Sequence, residues 1–390
     1  MNKRFYSLDV FRGATVALMI LVNNPGTWSH IYSPLEHAPW YGCTPTDLVF
    51  PFFLFAVGNA LAFVMPRLED AGNAVFLKKV FKRTVLIFAI GLFLNWFPFV
   101  DWENNTLVFK HWVSAENPES GVRIFGVLQR IALCYCFASL IIYFFKIRGA
   151  FYIGAVILLA YWLLCFLLGS GNDPYSMQNY FGVAIDKAIL GIPHMYKGEG
   201  VPFDPEGLAS TFPAIMQVIL GYMVGNYILQ KGTNYEMLSK LFVAGSILIF
   251  TGLCWNMVFP FNKKIWTSSF VVYTSGLAVI ILCILIYLIE FQNKRGPWTK
   301  FFDVFGKNPL FIFVLGGFVP RVSGLIRWKE GTDATGNIIY ASPLEWFYDH
   351  ICKPVSDNLK IGSLLFAICT VAFFWLIAWL LDRKKIYIKV

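Results

Sequence analysis

The chain has 390 residues, of which 57% are hydrophobic, 18% aromatic and only 14% charged. This composition excludes an ordinary soluble domain, which carries roughly 25% charged residues. The formal charge of +9 does not indicate a nucleic-acid partner, because Lys and Arg form short clusters between apolar runs and not one basic face. We therefore predict an integral multi-pass membrane protein.

Ten segments have the length and apolarity of transmembrane helices, since a bilayer core needs about 20 residues at a rise of 1.5 Å. In chain order they are Leu8–Asn23, Asp47–Pro66, Val80–Val100, Arg123–Phe145, Phe151–Leu168, Leu208–Leu229, Leu238–Phe259, Ser268–Ile289, Asp303–Leu325 and Ile361–Leu381. The segments lack the period-two alternation of a membrane barrel. The sequence thus predicts an all-α membrane bundle, with residues 1–390 forming a single transmembrane domain.

The distribution of positive charge predicts the orientation of this bundle. With a cytoplasmic amino terminus, 18 of the 32 basic residues lie on the cytoplasmic side, 9 on the outer side and 5 within spans. The inner set includes Lys3, Arg4 and Lys389. The positive-inside rule then places both termini in the cytoplasm, which agrees with an even number of spans. All five histidines lie in the long outer loops of residues 24–46, 101–122, 169–207 and 326–360.

The first predicted span contains ionisable residues, which are costly inside a bilayer and are functional candidates by default. Asp9 and Arg12 lie three residues apart on one helical face. Asn23 follows three turns later on that face, about 16 Å away. One face of this helix could therefore line a passage for a ligand. In the structural alternative, Asp9 and Arg12 form a buried salt bridge and Asn23 caps the helix.

Further polar residues are candidates for holding a charged ligand. Arg123 and Arg130 lie seven residues apart in the fourth predicted span and are expected to face the same way. Buried arginines bind anions. In a functional role their partners would be ligand phosphates, and in a structural role they would be the carboxylates of the first two spans, Asp9 and Asp47. Lys307 and Asn308 add a polar point at the cytoplasmic end of the ninth span.

His37 lies in the first outer loop, ten residues before Asp47. A neutral imidazole near pH 7 suits proton removal, and a nearby carboxylate would orient it, although a solvated loop histidine is the structural alternative. Metal binding is not expected, because His30 and His37 are seven residues apart and lack HExxH or CxxC spacing. Six of the eight cysteines lie in apolar runs, and the pairing of Cys43 and Cys352 stays open.

Several sequence blocks carry a family resemblance. They are SLDVFRG at residues 7–13, LVN at 21–23, HAPW at 37–40, TPTDLVFP at 44–51, GVLQR at 126–130, FDPEG at 203–207, PFNKKIW at 260–266 and RKKI at 383–386. In this order, and spread over nearly the whole chain, they resemble the heparan-α-glucosaminide N-acetyltransferase family. The SLDxFRG block alone is shared with a wider group of membrane acyltransferases.

The resemblance implies that acetyl-CoA binds from the cytoplasmic side and that its acetyl group passes to the amino group of a glucosamine on the other side. It implies that His37 is catalytic and that Asn23 assists it. We assign substrate binding to Asp47, Trp40 and Asp9, and donor binding to Arg12, Arg123, Arg130, Lys307 and Asn308. A compact prokaryotic-type protein of the bacterial inner membrane is expected, and the oligomeric state, with a homodimer as one option, stays open.

Two alternatives to this function remain at this stage. One is an O-acyltransferase acting on an envelope or exported glycan, and the other is a secondary transporter for a small anion, which would also need buried arginines. A transporter predicts broken helices in matching halves. Direct transfer and an acetyl-histidine intermediate are likewise both open.

Overall fold

A computed structural model describes residues 5–103, 105–332 and 336–388. Its long helices are α1 (Tyr6–Asn23), α2 (Val49–Asp70), α3 (Asn73–Trp96), α4 (Val127–Leu168), α6 (Leu208–Lys231), α7 (Tyr235–Asn256), α8 (Ser268–Ile286), α10 (Pro309–Leu325) and α12 (Leu359–Arg383). Shorter helices are α5 (Gly182–Leu190), α9 (Pro297–Lys307) and α11 (Pro343–Phe347). Lys3, Arg4 and Lys389, which entered the charge count, lie outside the described residues.

Within the part of the chain that is described, seven helices are long and apolar enough to cross a membrane, or eight if the bent pair α9 and α10 forms one span. Helix α3 carries Lys78, Lys79, Lys82 and Arg83 in its first half, which leaves it no apolar stretch of that length. The predicted helical membrane bundle is thus confirmed in outline. The count of ten spans and the placement of the termini stay predictions.

Three predicted segments, the fourth, the fifth and the ninth, differ from the observed helices. Helix α4 runs for 42 residues and joins two helical parts across a kink at Lys146, whose φ is 56°. The predicted ninth span, Asp303–Leu325, is instead two helices that meet at Asn308 with a bend of 79°. Pro309 causes this break, because proline disfavours a helical conformation in the preceding residue and has no N–H to donate.

Close backbone contacts hold the centre of the bundle together. Helices α2 and α6 form the most extensive helix pair. A Cβ atom at Gly58 would collide with the carbonyl oxygen of Val218, and one at Gly221 would collide with that of Phe55. Small residues let membrane helices approach in this way, where packing and not a hydrophobic driving force stabilises the pair.

The long loops meet at one end of the bundle, which we call the loop face (residues 24–46, 101–103, 105–122, 169–207, 257–267, 326–332 and 336–358). The Trp40 indole N–H donates to the carbonyl oxygen of Tyr175 over 3.1 Å. Arg327 donates to the side chain of Asn105 over 3.1 Å. This face contains two short antiparallel hairpins that were not predicted, β1 (Val100–Glu103) with β2 (Thr106–Phe109), and β3 (Trp328–Thr332) with β4 (Ile338–Ala341).

The opposite end, which we call the terminal face, joins the amino end of α1 to residues 287–308 and to the tail of residues 382–388. Arg12 Nε donates to the carbonyl oxygen of Gly306 over 2.7 Å. Asn308 donates to the carbonyl oxygen of Ile386 over 3.0 Å and accepts from Ile388 N over 2.8 Å. The first turns of α1 and the tail of residues 382–388 therefore lie on the same side of the bundle.

Candidate active site

His37 and Asp47 form a hydrogen-bonded pair at the loop face. Nδ1 of His37 lies 2.7 Å from Oδ1 of Asp47. Because an ionised carboxylate only accepts, Nδ1 is the donor in this pair, and Nε2 takes no part in it. The His37 side chain is 40% exposed, whereas Asp47 is 1% exposed. A buried carboxylate thus orients an imidazole that remains open to a ligand.

Backbone N–H groups also hold the Asp47 side chain in place. Residues Pro45–Leu48 make a 3₁₀ turn at the start of α2. The second carboxylate oxygen of Asp47 accepts from the backbone N–H groups of Ala38 and Thr44, each at 3.0 Å, and from the Thr44 hydroxyl at 3.1 Å. These bonds compensate for burial of the charge, so the dyad is held rigidly.

Lys263 stands beside the imidazole on a different segment. Its ammonium nitrogen lies 3.1 Å from Nδ1 and 3.3 Å from Nε2 of His37, and 3.8 Å from Oδ1 of Asp47. The two segments are joined by a bond from Gly42 N to the carbonyl oxygen of Phe261, at 2.8 Å. Burial lowers the pKa of Lys263, while the carboxylates of Asp47 and Glu206 oppose this shift.

A cavity of about 280 Å³ opens in front of this group. This cavity is lined by five of the predicted site residues, which are Asn23, His37, Trp40, Asp47 and Arg123. The Trp40 ring packs edge-on against Phe203, with centroids 5.4 Å apart. An aromatic wall beside polar groups is suited to a sugar ring, which has apolar faces and a polar rim.

A second cavity of about 550 Å³ adjoins the first between α1, α3, α4 and α10. Both cavities are lined by Met19, Asn23, Arg123, Val127 and Phe313. Asn23 is the last residue of α1, and its side chain is exposed at this junction. The larger cavity also contains Arg321, whose guanidinium donates to the carbonyl oxygen of Gly317 at 2.6 Å.

Arg123 lies at the cavity junction but not on the predicted helix, since α4 begins only at Val127. Its guanidinium binds Asp204 at 2.6 and 3.0 Å and Glu206 at 2.5 Å. Burial disfavours the Glu206 carboxylate, but the Arg123 charge outweighs that effect and lowers the pKa of Glu206. Arg123 therefore faces ligand space while already paired with two carboxylates.

Arg130 does not face the same space as Arg123, which corrects the prediction. It is fully buried and donates to the carbonyl oxygen of Pro205 at 2.8 Å and to the Ser210 hydroxyl. Its guanidinium also lies 5.0 Å from the Trp266 ring centroid. Nη2 of Arg130 holds the turn before α6, whereas its buried Nε and Nη1 have no hydrogen-bond partner. Arg130 lines neither cavity described above.

The other predicted ligand residues lie at the terminal face, and none of them lines either cavity. Arg12 binds Asp9 at 2.7 Å, which is the structural alternative for that pair. Lys307 binds Asp303 and Asp382, each at 2.8 Å. With Asn308 bonded to the tail, the structure brings none of these four predicted residues to His37. Their polar groups satisfy one another instead.

Sequence reasoning assigned no role to several residues that the structure brings to the two cavities. Lys263, Lys264, Glu199 and Glu206 line the smaller cavity, and Arg321 lines the larger. The signal for three of them was present, because the PFNKKIW block holds both lysines and the FDPEG block holds Glu206. For Cys43 and Cys352 the pairing question is answered, since all eight cysteines are free thiols.

Comparisons with known proteins show a family match over most of the chain. A family model described as heparan-alpha-glucosaminide N-acetyltransferase, catalytic, matches residues 4–258, which is well over half of the chain. The human heparan-alpha-glucosaminide N-acetyltransferase is 26% identical over 442 aligned residues, and the mouse protein of the same name is 25% identical. Each alignment covers 99% of this chain but 60% of the relative, so the chain spans about 60% of the length of these curated relatives.

Proposed function

The chain belongs to the heparan-α-glucosaminide N-acetyltransferase family, and from this premise we propose that it is a transmembrane acetyltransferase. The acetyl group of cytoplasmic acetyl-CoA moves to the amino group of a glucosamine-type sugar at the loop face. The observation that carries this proposal is the His37–Asp47 pair, at 2.7 Å, lining a cavity that also contains Asn23 and Trp40.

In the proposed reaction, Nε2 of His37 takes the proton from the attacking amine. The amine nitrogen bonds to the acetyl carbon, the carbon–sulfur bond of the thioester breaks, and the proton passes on to the departing CoA thiolate. Asp47 holds the imidazole in the tautomer that leaves Nε2 unprotonated. Asn23 donates its amide N–H to the oxyanion of the tetrahedral intermediate, a contribution of about 3 kcal/mol.

Two adjoining cavities match two substrates of different size. Acetyl-CoA is much larger than a monosaccharide ring, so we place the donor in the cavity of about 550 Å³ and the acceptor sugar in that of about 280 Å³. The thioester then lies where the cavities join, beside Asn23. Arg123 and Arg321 are the cations that line the donor space, and they replace Arg12, Arg130 and Lys307 in this role.

The proposal includes the membrane arrangement predicted from the sequence. Ten spans, both termini in the cytoplasm and one transmembrane domain place the loop face outside. Helix α4, with its kink at Lys146, then supplies two spans. A donor made in the cytoplasm needs a protein-lined passage to His37, because the CoA phosphates cannot cross hydrocarbon unaided.

The test is the His37→Gln variant assayed with acetyl-CoA and glucosamine. Acetyl transfer should fall by about 10²-fold or more, while acetyl-CoA still binds. The matched control is His111→Gln, since His111 is also an exposed loop-face histidine and lines neither cavity. Unchanged turnover in His37→Gln would contradict the proposal.

The same assay separates the alternatives. An N-acetyl product resists hydroxylamine, whereas the ester made by an O-acyltransferase is cleaved by it. A transporter would leave the thioester intact. In the described residues one bent helix pair is present, α9 with α10, and the matching break that a transporter duplication predicts is not found there.

A further inference from the structure

The His37 imidazole is held between two opposite charges. On one side the Asp47 carboxylate accepts from Nδ1 at 2.7 Å. On the other, Nζ of Lys263 lies 3.1 Å from one ring nitrogen and 3.3 Å from the other. Because these two distances are nearly equal, the lysine acts on the ring as a whole and not through a single directed bond.

Without another charge nearby, the Asp47 carboxylate would make His37 a poorer general base. A buried carboxylate in contact with a histidine stabilises the imidazolium form, because an opposite charge within about 4–6 Å favours the charged state. An imidazolium has no lone pair with which to take a proton from an amine. The carboxylate thus fixes the tautomer, but its charge also favours the protonation state that cannot react.

Lys263 opposes that tendency through its charge. Its ammonium nitrogen lies within 3.3 Å of both ring nitrogens, and a positive charge at that distance penalises a second positive charge on the ring. Lys263 therefore favours the neutral imidazole.

We propose that Lys263 is a positioning residue that keeps the His37 imidazole neutral in the resting protein, so that Nε2 can accept the proton of the amine. This proposal rests on the proposed function, because it assigns His37 the role of base. It concerns only the charge state of the ring, and that state can be measured without turnover.

The other charged side chains near the ring form ion pairs of their own or are exposed to solvent. Lys264 binds Glu199 at 2.5 Å, and Arg123 binds Glu206 at 2.5 Å. Glu36, next to His37 in the chain, is exposed to solvent. Asp47 and Lys263 are therefore the two charges that decide the balance at the ring, since pairing and solvent screen the rest.

The experiment measures the reaction of diethyl pyrocarbonate with His37 as a function of pH. Of the two charge states of histidine, this reagent modifies only the neutral one, and peptide mass mapping of the full-length protein in detergent separates His37 from the other histidines. In Lys263→Met the pH of half-maximal reactivity should rise by about one unit or more, the effect of removing a close like charge. A change in access alone would alter the plateau rate but not this midpoint.

Three comparisons make the outcome decisive. Lys263→Arg keeps the charge and should keep the midpoint of the unchanged protein, and Lys264→Met, which removes the neighbouring cation, should shift it less than Lys263→Met. His111 serves as an internal standard in every sample. An unchanged midpoint in Lys263→Met, or an equal shift in Lys264→Met, would overturn the proposal. Lys263→Gln replaces the Met variant if the latter does not fold.

A second readout tests the same charge through activity. The acidic limb of kcat/KM in Lys263→Met should move to higher pH, whereas a merely structural role would lower the rate at all pH values alike. Full turnover in His37→Gln would refute the proposed function whatever the titration gives. An unshifted midpoint with inactive His37→Gln would refute only the role of Lys263.

Discussion

The loop face and the terminal face both concentrate charged residues, but they use them differently. At the terminal face, Arg12 is paired with Asp9, and Lys307 with Asp303 and Asp382. At the loop face, a half-exposed His37 and the exposed Asn23 side chain border open cavities. The difference teaches that an ionisable residue inside a membrane protein indicates a site only when a cavity reaches it.

The largest effect on catalysis that we predict from this contrast, beyond the loss of His37 itself, is at Asp47. In Asp47→Asn the amide no longer holds the His37 proton on Nδ1, so Nε2 loses its lone pair in part of the population. We expect acetyl transfer to fall by about 10²- to 10⁴-fold, measured as kcat with acetyl-CoA and glucosamine. Normal turnover in the variant would show that the His37–Asp47 contact at 2.7 Å is not needed for catalysis.

Asn23 is predicted to have the next largest effect. Asn23→Ala removes the amide proposed to stabilise the oxyanion where the two cavities meet, and kcat should fall by about 10²- to 10³-fold. Binding of acetyl-CoA should change little. Asn117→Ala is the matched control, because Asn117 is also an exposed loop-face asparagine and lines neither cavity. A loss confined to acetyl-CoA binding would contradict the assignment.

A smaller effect concerns stability and pH at the loop face. Burial raises the pKa of Asp186 to about 7, and its carboxylate accepts from Leu208 N at 2.8 Å. The folded protein thus holds a proton that the unfolded chain releases above its ordinary pKa, so stability falls as the pH rises through 7. Between pH 6 and pH 8 the loss should be about 1 kcal/mol.

This pH dependence is measured as the thermal midpoint at a fixed scan rate. Asp186→Asn keeps the acceptor for Leu208 N but does not titrate, so its thermal midpoint should change less between pH 6 and pH 8. Equal slopes for the two proteins would show that Asp186 does not titrate in this range.

The smallest effect on activity is predicted at the terminal face. Lys307→Met breaks the pairs with Asp303 and Asp382 and should lower thermal stability, because it leaves carboxylates with one fewer partner. Turnover of the folded fraction should stay within about twofold, as expected for a change remote from substrate. A selective rise in KM for acetyl-CoA would instead indicate that Lys307 binds the donor. The terminal face would then have a role in substrate binding, contrary to this account.

The sequence was most informative where the relevant residues are close along the chain. Most of the apolar helices were predicted. The carboxylate beside His37 was predicted as well, because Asp47 follows it by ten residues and lies just before α2. The partners of Arg130 could not be predicted, since Pro205 and Ser210 lie more than 70 residues away. The same holds for Lys263, which reaches His37 across 226 residues.

The break between α9 and α10 shows a different limit. The run from Asp303 to Leu325 is apolar enough for one span, and hydrophobicity dominated the prediction. Pro309 was the contrary signal, and in the structure it separates two helices bent by 79°. Tertiary bonds from Asn308 to the tail stabilise that bend, and such bonds cannot be read from local sequence.

The most direct measurement is a structure with an unreactive thioether analogue of acetyl-CoA bound. The account predicts that the CoA moiety fills the larger cavity and that the acetyl group lies at the junction, within reach of the Asn23 amide and of Nε2 of His37. An analogue whose acetyl group lies beside Lys307 and Asp382, or elsewhere remote from His37, would contradict it.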